Sequence, residues 1–180
     1  MNRYVIINGC GGVGKDEFIK KCKIYKDDIV NMSTIEYVKT VALQCGWDGK
    51  KDEKGRRFLS DLKDALTRYG NIPIKHILES LHNYSNSTIF IHCREPDEIN
   101  LLKNKLNAKS LLITNNNVEK IKSNHADECV FDCKYDYVVD NSGTLGDLIE
   151  NAQIFLLWLE NECRSDSNGV QSEVSVFSKD

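Results

Sequence analysis

Apolar positions along the chain follow two alternating patterns, one with the repeat of a strand and one with the repeat of a helix. Short runs of apolar and β-branched residues predict buried strands, whereas apolar positions three and four residues apart predict amphipathic helices. The predicted strands cover residues 4–7, 29–32, 88–91, 110–113 and 137–139. The predicted helices cover residues 15–25, 35–46, 58–66, 73–81, 99–106 and 145–159.

This alternation predicts a three-layer α/β fold, in which helices cover both faces of a mainly parallel five-stranded sheet. Right-handed crossover connections place the ends of parallel strands at one edge of the sheet. The loops that follow Ile7, Ile91 and Ile113 are therefore expected to lie side by side.

The boundaries of the domain follow from a change in composition near the C-terminus. Residues 1–163 are predicted to form one domain, and the polar, serine-rich residues 164–180 a flexible tail. With 180 residues, the chain is long enough for one sizeable core. Within the domain, Ser33 followed three residues later by Glu36 predicts a capping box at the start of the second helix.

The net charge and the lack of long apolar runs exclude two classes of partner, nucleic acids and membranes. The net charge of −3 provides no overall basic field, so neither nucleic acid nor an anionic membrane is a predicted partner. No apolar run reaches the roughly 20 residues that span a bilayer, and none resembles a signal peptide. We therefore expect a cytoplasmic protein, whose oligomeric state the sequence leaves open.

The seven cysteines are scattered, and the Cys129–Cys133 pair lacks a second pair of zinc ligands, which predicts reduced thiols.

The stretch "NGCGGVGKDEF" joins the first predicted strand to the first predicted helix. Its glycines allow the backbone to curl with amide N–H groups turned inward, and the helix directs its N-terminal amides to the same point. Lys15 adds a cation where the β- and γ-phosphates of a nucleotide would lie. A glycine-rich turn with an exposed lysine is the alternative interpretation. The predicted nucleotide-binding residues are Gly9, Gly11, Gly12, Val13, Gly14, Lys15 and Asp16.

Asp16 occupies the position at which loops of the G-x-x-x-x-G-K-[ST] type have Ser or Thr. A carboxylate is a stronger oxygen ligand for Mg²⁺ than a hydroxyl group, so Asp16 is predicted to hold Mg²⁺ directly or through water. Its negative charge beside a phosphate requires a cation that offsets it. Alternatively, Asp16 only stabilises the first turn of the helix through the helix dipole.

Three arginines are candidates for phosphate contacts. Arg94 closely follows the strand at 88–91, where a guanidinium can clamp phosphate oxygens, although a surface ion pair is an alternative. Arg56 and Arg57 begin a helix and are candidates for holding the phosphate of an acceptor. His92 is predicted to be a buried, hydrogen-bonded imidazole. The predicted catalytic residues are Lys15, Asp16 and Arg94, and the predicted substrate-binding residues are Arg56, Arg57 and Arg94.

The G-x-x-x-x-G-K-D motif resembles that of the phage deoxynucleoside monophosphate kinases and the animal-type phosphomevalonate kinases. Both belong to the nucleoside monophosphate kinase-like group of P-loop folds. The stretches "GWDGKKDEKGRRFLSDLKDAL", "FIHCREPDEI", "SNHADECV" and "NSGTLGDLIENAQIF" also resemble bacterial members of that group. The motif is specific for nucleotide phosphates, whereas the other stretches are specific for the group and not for a substrate.

The resemblance implies a P-loop NTPase fold with a lid segment, and ATP-dependent transfer of a phosphoryl group to a small phosphorylated acceptor, with ATP and Mg²⁺ as cofactors. Many P-loop enzymes carry an Asp where His92 and Cys93 stand, so Glu95 or Asp16 would have to replace it. The expected lid contains lysines but no arginine, so these lysines or the three arginines above would supply its positive charge. The lid residues are Lys120 and Lys122, with Asn124, His125 and Asp127 shaping its return.

Three functions remain open at this stage. The first is a kinase for a (deoxy)nucleoside monophosphate, and the second is a kinase of the phosphomevalonate type. The third is a nucleotide-binding regulatory protein without efficient catalysis, which the missing strand-end acid and the arginine-free lid favour. A switch GTPase is disfavoured, because the sequence contains no Asn-Lys-x-Asp motif for reading guanine.

Overall fold

The computed structural model describes residues 1–118 and 129–169 of the chain. Its strands are β1 (Arg3–Asn8), β2 (Ile29–Ser33), β3 (Thr88–His92), β4 (Lys109–Thr114) and β5 (Tyr137–Asp140). They form one sheet in the order β2-β3-β1-β4-β5, and every neighbouring pair is parallel. The prediction of a parallel five-stranded sheet is confirmed.

Helices cover both faces of this sheet. The α-helices of the described residues are α1 (Lys15–Tyr25), α2 (Thr34–Gln44), α3 (Glu53–Gly70), α4 (Ile72–Ser80), α5 (Pro96–Leu106) and α6 (Leu145–Gly169). Val5 and Ile7 of β1 pack with α1 and α6, whereas the intervening Ile6 packs with α4 and α5. This division follows from the alternation of side chains along a strand. The core on the α1–α6 face includes an edge-to-face contact between Phe18 and Phe155, with ring centroids 5.6 Å apart.

The helices α2 and α3 share a small apolar cluster of their own, beside the two main cores. Val38 and Ala42 of α2 pack against Leu59 of α3, with Phe58 and Leu62 at the margin of the cluster. The helix that carries Arg56 and Arg57 therefore packs against α2 and α4, rather than against the central sheet.

The starts of two helices differ from the sequence-based predictions. Ser33 is the N-cap residue of α2, but its side chain makes no capping hydrogen bond, and the Glu36 carboxylate pairs instead with Lys39. Helix α3 begins at Glu53, earlier than predicted, because the Asp52 carboxylate accepts a hydrogen bond from the Gly55 amide and caps it.

The last helix, α6, continues to Gly169, beyond the predicted end of the domain at residue 163. Residues 170–180 of the predicted tail lie outside the described residues, and the flexible tail stays a prediction. Within the described residues, no helix combines the length and the apolar character that crossing a membrane requires.

Candidate active site at the carboxyl edge of the sheet

The loop between β1 and α1 depends on glycine at three positions. Gly9, Gly12 and Gly14 have φ angles of 144°, 81° and 94°, in the region that residues with a side chain rarely adopt. At Gly9 there is also no room for a side chain, because a Cβ atom would lie 2.4 Å from the carbonyl oxygen of Ile113. Gly11 has neither constraint, and a Cβ atom there meets nothing within 4 Å. The loop is therefore curled tightly against the end of β4.

The side chain of Lys15 folds back over this loop. Its Nζ atom is 2.6 Å from the Gly9 carbonyl oxygen and 2.8 Å from that of Cys10. The hydrogen-bond ladder of α1 begins with the Phe18 amide, which donates to the Gly14 carbonyl at 2.9 Å. The amides of the first helical turn therefore precede the ladder and face the same region, which is the arrangement that binds anions at helix N-termini.

A cavity of about 310 Å³ opens in front of the loop and the helix start. It is lined by Gly12, Gly14, Lys15, Asp16, Glu17 and Lys20. Two ammonium groups, two carboxylates and glycines without side chains thus surround one space. The ammonium groups and the loop amides fit the phosphates of a nucleotide, since phosphate oxygens need many N–H donors at close range.

Asp16 stands at the wall of the cavity, and its side chain is 77% exposed. Its Oδ1 atom accepts a hydrogen bond from Asn31 Nδ2 at 3.2 Å and lies 3.4 Å from His92 Nε2. The prediction that His92 is hydrogen-bonded is wrong for Nε2, which is buried without a hydrogen-bond partner.

The His92 imidazole lies close to three of the predicted site residues. Burial lowers the pKa of His92 to about 4, with the Asp16 charge opposing this shift and the charges of Lys15 and Arg94 adding to it. The ring is therefore neutral at neutral pH. The charges of Lys15, Asp16 and Arg94 thus all act on this ring, and Asp16 Oδ1 lies 3.4 Å from its Nε2 atom.

A Mg²⁺ site at this edge would depend on Asp16. Glu95, the alternative acid, lies 3.9 Å from Lys63 of α3 and belongs to an ion pair that also includes Glu98. Within residues 1–118 and 129–169, no group of three or more His, Cys, Asp or Glu side chains forms a metal cage. The residues present fit a cation that is held by one carboxylate, phosphate oxygens and water, as Mg²⁺ commonly is beside nucleotides.

Two asparagines brace the loop, and the sequence analysis missed both. Asn141, directly after β5, donates from Nδ2 to the Val13 carbonyl at 2.9 Å. Asn8, the last residue of β1, accepts from the Gly9 amide at 2.8 Å and donates to the Tyr135 hydroxyl at 2.7 Å. Both asparagines lie at the ends of predicted strands, at the edge of the sheet where the loops were expected to meet. No pattern in the sequence shows that they contact this loop.

A second, smaller cavity of about 170 Å³ lies on the β4 side of the loop. Its walls combine apolar groups with amide side chains, contributed by Cys10, Val13, Ile113, Thr114, Asn115, Asn116, Val118 and Phe131. Because Cys10 and Val13 belong to the loop itself, this cavity and the phosphate-sized cavity flank the same turn of backbone. The predicted lid residues Lys120, Lys122, Asn124, His125 and Asp127 lie outside the described residues.

The three predicted arginines occupy two different places. Arg94 is half-buried next to the end of β1, where its carbonyl oxygen is 3.4 Å from Asn8 Nδ2. Arg56 and Arg57 are exposed in the first turns of α3. Arg56 also has a structural contact, since its Nε atom donates to the Lys51 carbonyl at 2.9 Å. Arg94 thus belongs to the carboxyl edge of the sheet, and Arg56 and Arg57 to the α2–α3 unit.

The segment before α3 folds tightly against Gly55. The indole of Trp47 donates to the Lys50 carbonyl at 3.1 Å, and the Asp52 carboxylate accepts from the Gly55 amide at 2.8 Å. A Cβ atom on Gly55 would lie only 2.1 Å from the Lys50 carbonyl oxygen. The absence of a side chain at Gly55 therefore lets this segment close over the start of the helix that presents the two arginines.

Gly55→Ala is expected to lower the free energy of unfolding by about 1–3 kcal/mol, because the added methyl group forces the main chain of the segment away. Gly146→Ala is the matched control, since that exposed helical glycine has its nearest neighbour at 3.5 Å. The control is expected to be neutral or to stabilise by up to about 1 kcal/mol. Denaturant titration of both variants measures the difference. Equal stabilities of the two variants would contradict the proposed packing at Gly55.

Comparisons with known proteins agree with this architecture. No protein-family model and no curated protein matches the sequence. Among solved structures, a gluconokinase from Sinorhizobium meliloti 1021 has a TM-score of 0.52 at 10% identity, over 92% of this chain and 97% of that one. TT1252 from Thermus thermophilus has a TM-score of 0.50 at 14% identity, over 88% of this chain and 98% of that one. A shikimate kinase from Aquifex aeolicus vf5 has a TM-score of 0.49 at 13% identity, over 89% of this chain and 98% of that one. The chain therefore shares its α/β fold with the gluconokinase and with TT1252.

Proposed function

We propose that the protein transfers a phosphoryl group from ATP to a small phosphorylated acceptor, with a (deoxy)nucleoside monophosphate as the acceptor. The observation that carries this proposal is the loop before α1, where Lys15 and glycines border a cavity of about 310 Å³ in a fold shared with a gluconokinase. Transfer of a phosphoryl group requires positioning and neutralisation of charge more than covalent chemistry by the protein. In this proposal, Lys15 and the amides of the loop provide both.

Each predicted residue has a role in this proposal. Lys15 and the amides of the loop bind the β- and γ-phosphates of ATP, and they neutralise charge that moves during transfer. The Asp16 carboxylate would hold Mg²⁺, and the bound ion would offset the negative charge of the phosphates. Arg94 clamps oxygens of the transferred group from the end of β3.

The acceptor is held from the other side of the site. In the proposal, Arg56 and Arg57 bind the acceptor's own phosphate, and their place in the α2–α3 unit supports a separate role from that of Lys15. Arg57 is the stronger candidate, because the Arg56 side chain already contacts the Lys51 carbonyl. The acceptor would then lie between α3 and the start of α1, where Asp16 stands.

A screen of acceptors tests the proposal. The purified protein is incubated with ATP and Mg²⁺, and ADP release is measured with each ribo- and deoxynucleoside monophosphate, with phosphomevalonate and with gluconate. Gluconate is included because one structure with this fold is a gluconokinase. Acceptor-dependent ADP release with a nucleoside monophosphate is the expected result. ATP binding without turnover on any acceptor would contradict the kinase proposal.

A nucleotide-binding regulatory protein is the second candidate, and the neutral His92 favours it, because this residue stands where many P-loop enzymes have an acid. In that case ATP binds tightly, and slow hydrolysis is the same in the native protein and in Lys15→Ala. The kinase proposal requires that the same substitution reduce turnover by about 10²–10³-fold.

A further inference from the structure

The Asp16 carboxylate is approached from two neighbouring strands. Asn31 lies in β2 and His92 ends β3, and the parallel register pairs Ser33 with His92. Because side chains alternate along a strand, Asn31, Ser33 and His92 extend from the same face of the sheet. The first turn of α1 carries Asp16 over this face, so that both strands reach it.

Both contacts are made to one oxygen atom. Asn31 Nδ2 is 3.2 Å and His92 Nε2 is 3.4 Å from Asp16 Oδ1. Asp16 Oδ2 has no hydrogen bond or ion pair with any side chain of residues 1–118 and 129–169. The carboxylate is therefore held at one oxygen, and its second oxygen is left for another partner at the wall of the phosphate-sized cavity.

The character of the two neighbours is unusual for an acid in a charged site. No lysine or arginine pairs with Asp16 within the described residues, although Lys15 and Lys20 line the same cavity. Asn31 donates a hydrogen bond to Oδ1 and the His92 ring lies beside the same atom, whereas an ammonium group in that place would compete with a bound cation. The Asp16 side chain is thus oriented by groups other than a lysine or an arginine, as suits a metal ligand.

We propose that Asn31 and His92 are positioning residues, which hold Asp16 Oδ1 so that the carboxylate binds the divalent cation of a metal–nucleotide complex. This inference rests on the proposed function. The buried Nε2 atom of His92 supports it, since that atom lacks a hydrogen bond at a separation of 3.4 Å from Oδ1.

Binding of Mn²⁺, followed by electron paramagnetic resonance with a non-hydrolysable ATP analogue, tests the role without requiring turnover. Asn31→Leu and His92→Phe remove the two nitrogen atoms and keep side chains of similar size. Each is expected to raise the Kd for Mn²⁺ by about 10-fold or more, as loss of groups that orient metal ligands commonly does. The affinity for the analogue without metal is expected to stay unchanged. His92→Gln, which restores an N–H donor, is expected to recover most of the Mn²⁺ affinity.

Matched controls separate positioning from general damage. Asn100→Leu and His82→Phe make the same chemical changes at exposed positions away from the site, and both are expected to bind Mn²⁺ as the native protein does. The proposal is overturned if Asn31→Leu and His92→Phe bind Mn²⁺ normally while Asp16→Asn does not. It is also overturned if they weaken analogue binding equally with and without metal, which indicates a structural role. If the native protein and Asp16→Asn bind Mn²⁺ equally weakly, the metal role of Asp16 in the proposed function fails as well.

Discussion

Lys15→Ala is expected to reduce kcat for phosphoryl transfer by about 10²–10³-fold, the usual effect of removing one preorganised group that stabilises developing charge. In the structure the ammonium group is already held over the loop by the carbonyl oxygens of Gly9 and Cys10. No large movement is therefore needed to place it beside a phosphate. Steady-state kinetics with the acceptor identified by the screen measure the effect.

The same cavity offers a matched control for this substitution. Lys20 also lines it, but its side chain is 69% exposed and pairs with Glu17 on the surface of α1. Lys20→Ala removes the same charge from the same cavity and is expected to change kcat by less than about 5-fold, since exposed ion pairs contribute little. Equal losses in the two variants would show that only the total charge matters. An unchanged rate in Lys15→Ala would favour the regulatory function.

The parallel sheet was predictable because its strands are buried on both faces and appear as short apolar runs between amphipathic helices. The order of the strands was not predictable in the same way. β1 lies in the middle between β3 and β4, and this pairing joins segments that are far apart in the sequence. The early start of α3 was missed because the residues before Phe58 are polar and glycine-bearing, without a helical repeat of apolar positions.

The candidate site was predictable only where one short stretch contains the signal. The spacing of Gly9, Gly14 and Lys15 identified the loop, and its context of strand and helix was confirmed. The groups that brace or orient the loop come from elsewhere in the chain. Asn141 contacts Val13 across 128 positions, and Asn31 reaches Asp16 from a different strand. Such partners depend on the three-dimensional arrangement, and no local pattern of residues marks them.

The two neighbours of Asp16 bear on which of its predicted roles applies. From the sequence, its carboxylate was either a metal ligand or a favourable charge in the first helical turn. The helix-dipole effect requires only the position of the charge, and does not explain why two uncharged side chains approach one oxygen. Their presence supports the proposal that Asp16 binds a metal ion, in which the strand-end His92 is a positioning residue.

Gly9→Ala is expected to lower the free energy of unfolding by about 2–4 kcal/mol, which combines the strain of a positive φ angle with overpacking of a closed site. Its Cβ atom would lie 2.4 Å from the Ile113 carbonyl oxygen and 3.0 Å from Val13 Cγ2, at a φ angle of 144°. The nearer atom belongs to the main chain of β4 and cannot rotate away. The loop or the end of the strand must therefore move.

Gly11→Ala provides the control for this substitution within the same loop. Its Cβ atom meets nothing within 4 Å, so the free energy of unfolding is expected to change by no more than about 0.5 kcal/mol. Denaturant titration compares the two variants, and binding of the ATP analogue is measured at a temperature at which both are folded. Because the Gly9–Ile113 contact fixes the curl of the loop, Gly9→Ala is also expected to weaken analogue binding more than Gly11→Ala does. Similar stability and binding in the two variants would show that the loop is not packed tightly against β4. The position of Lys15 would then not depend on the conformation of the loop backbone.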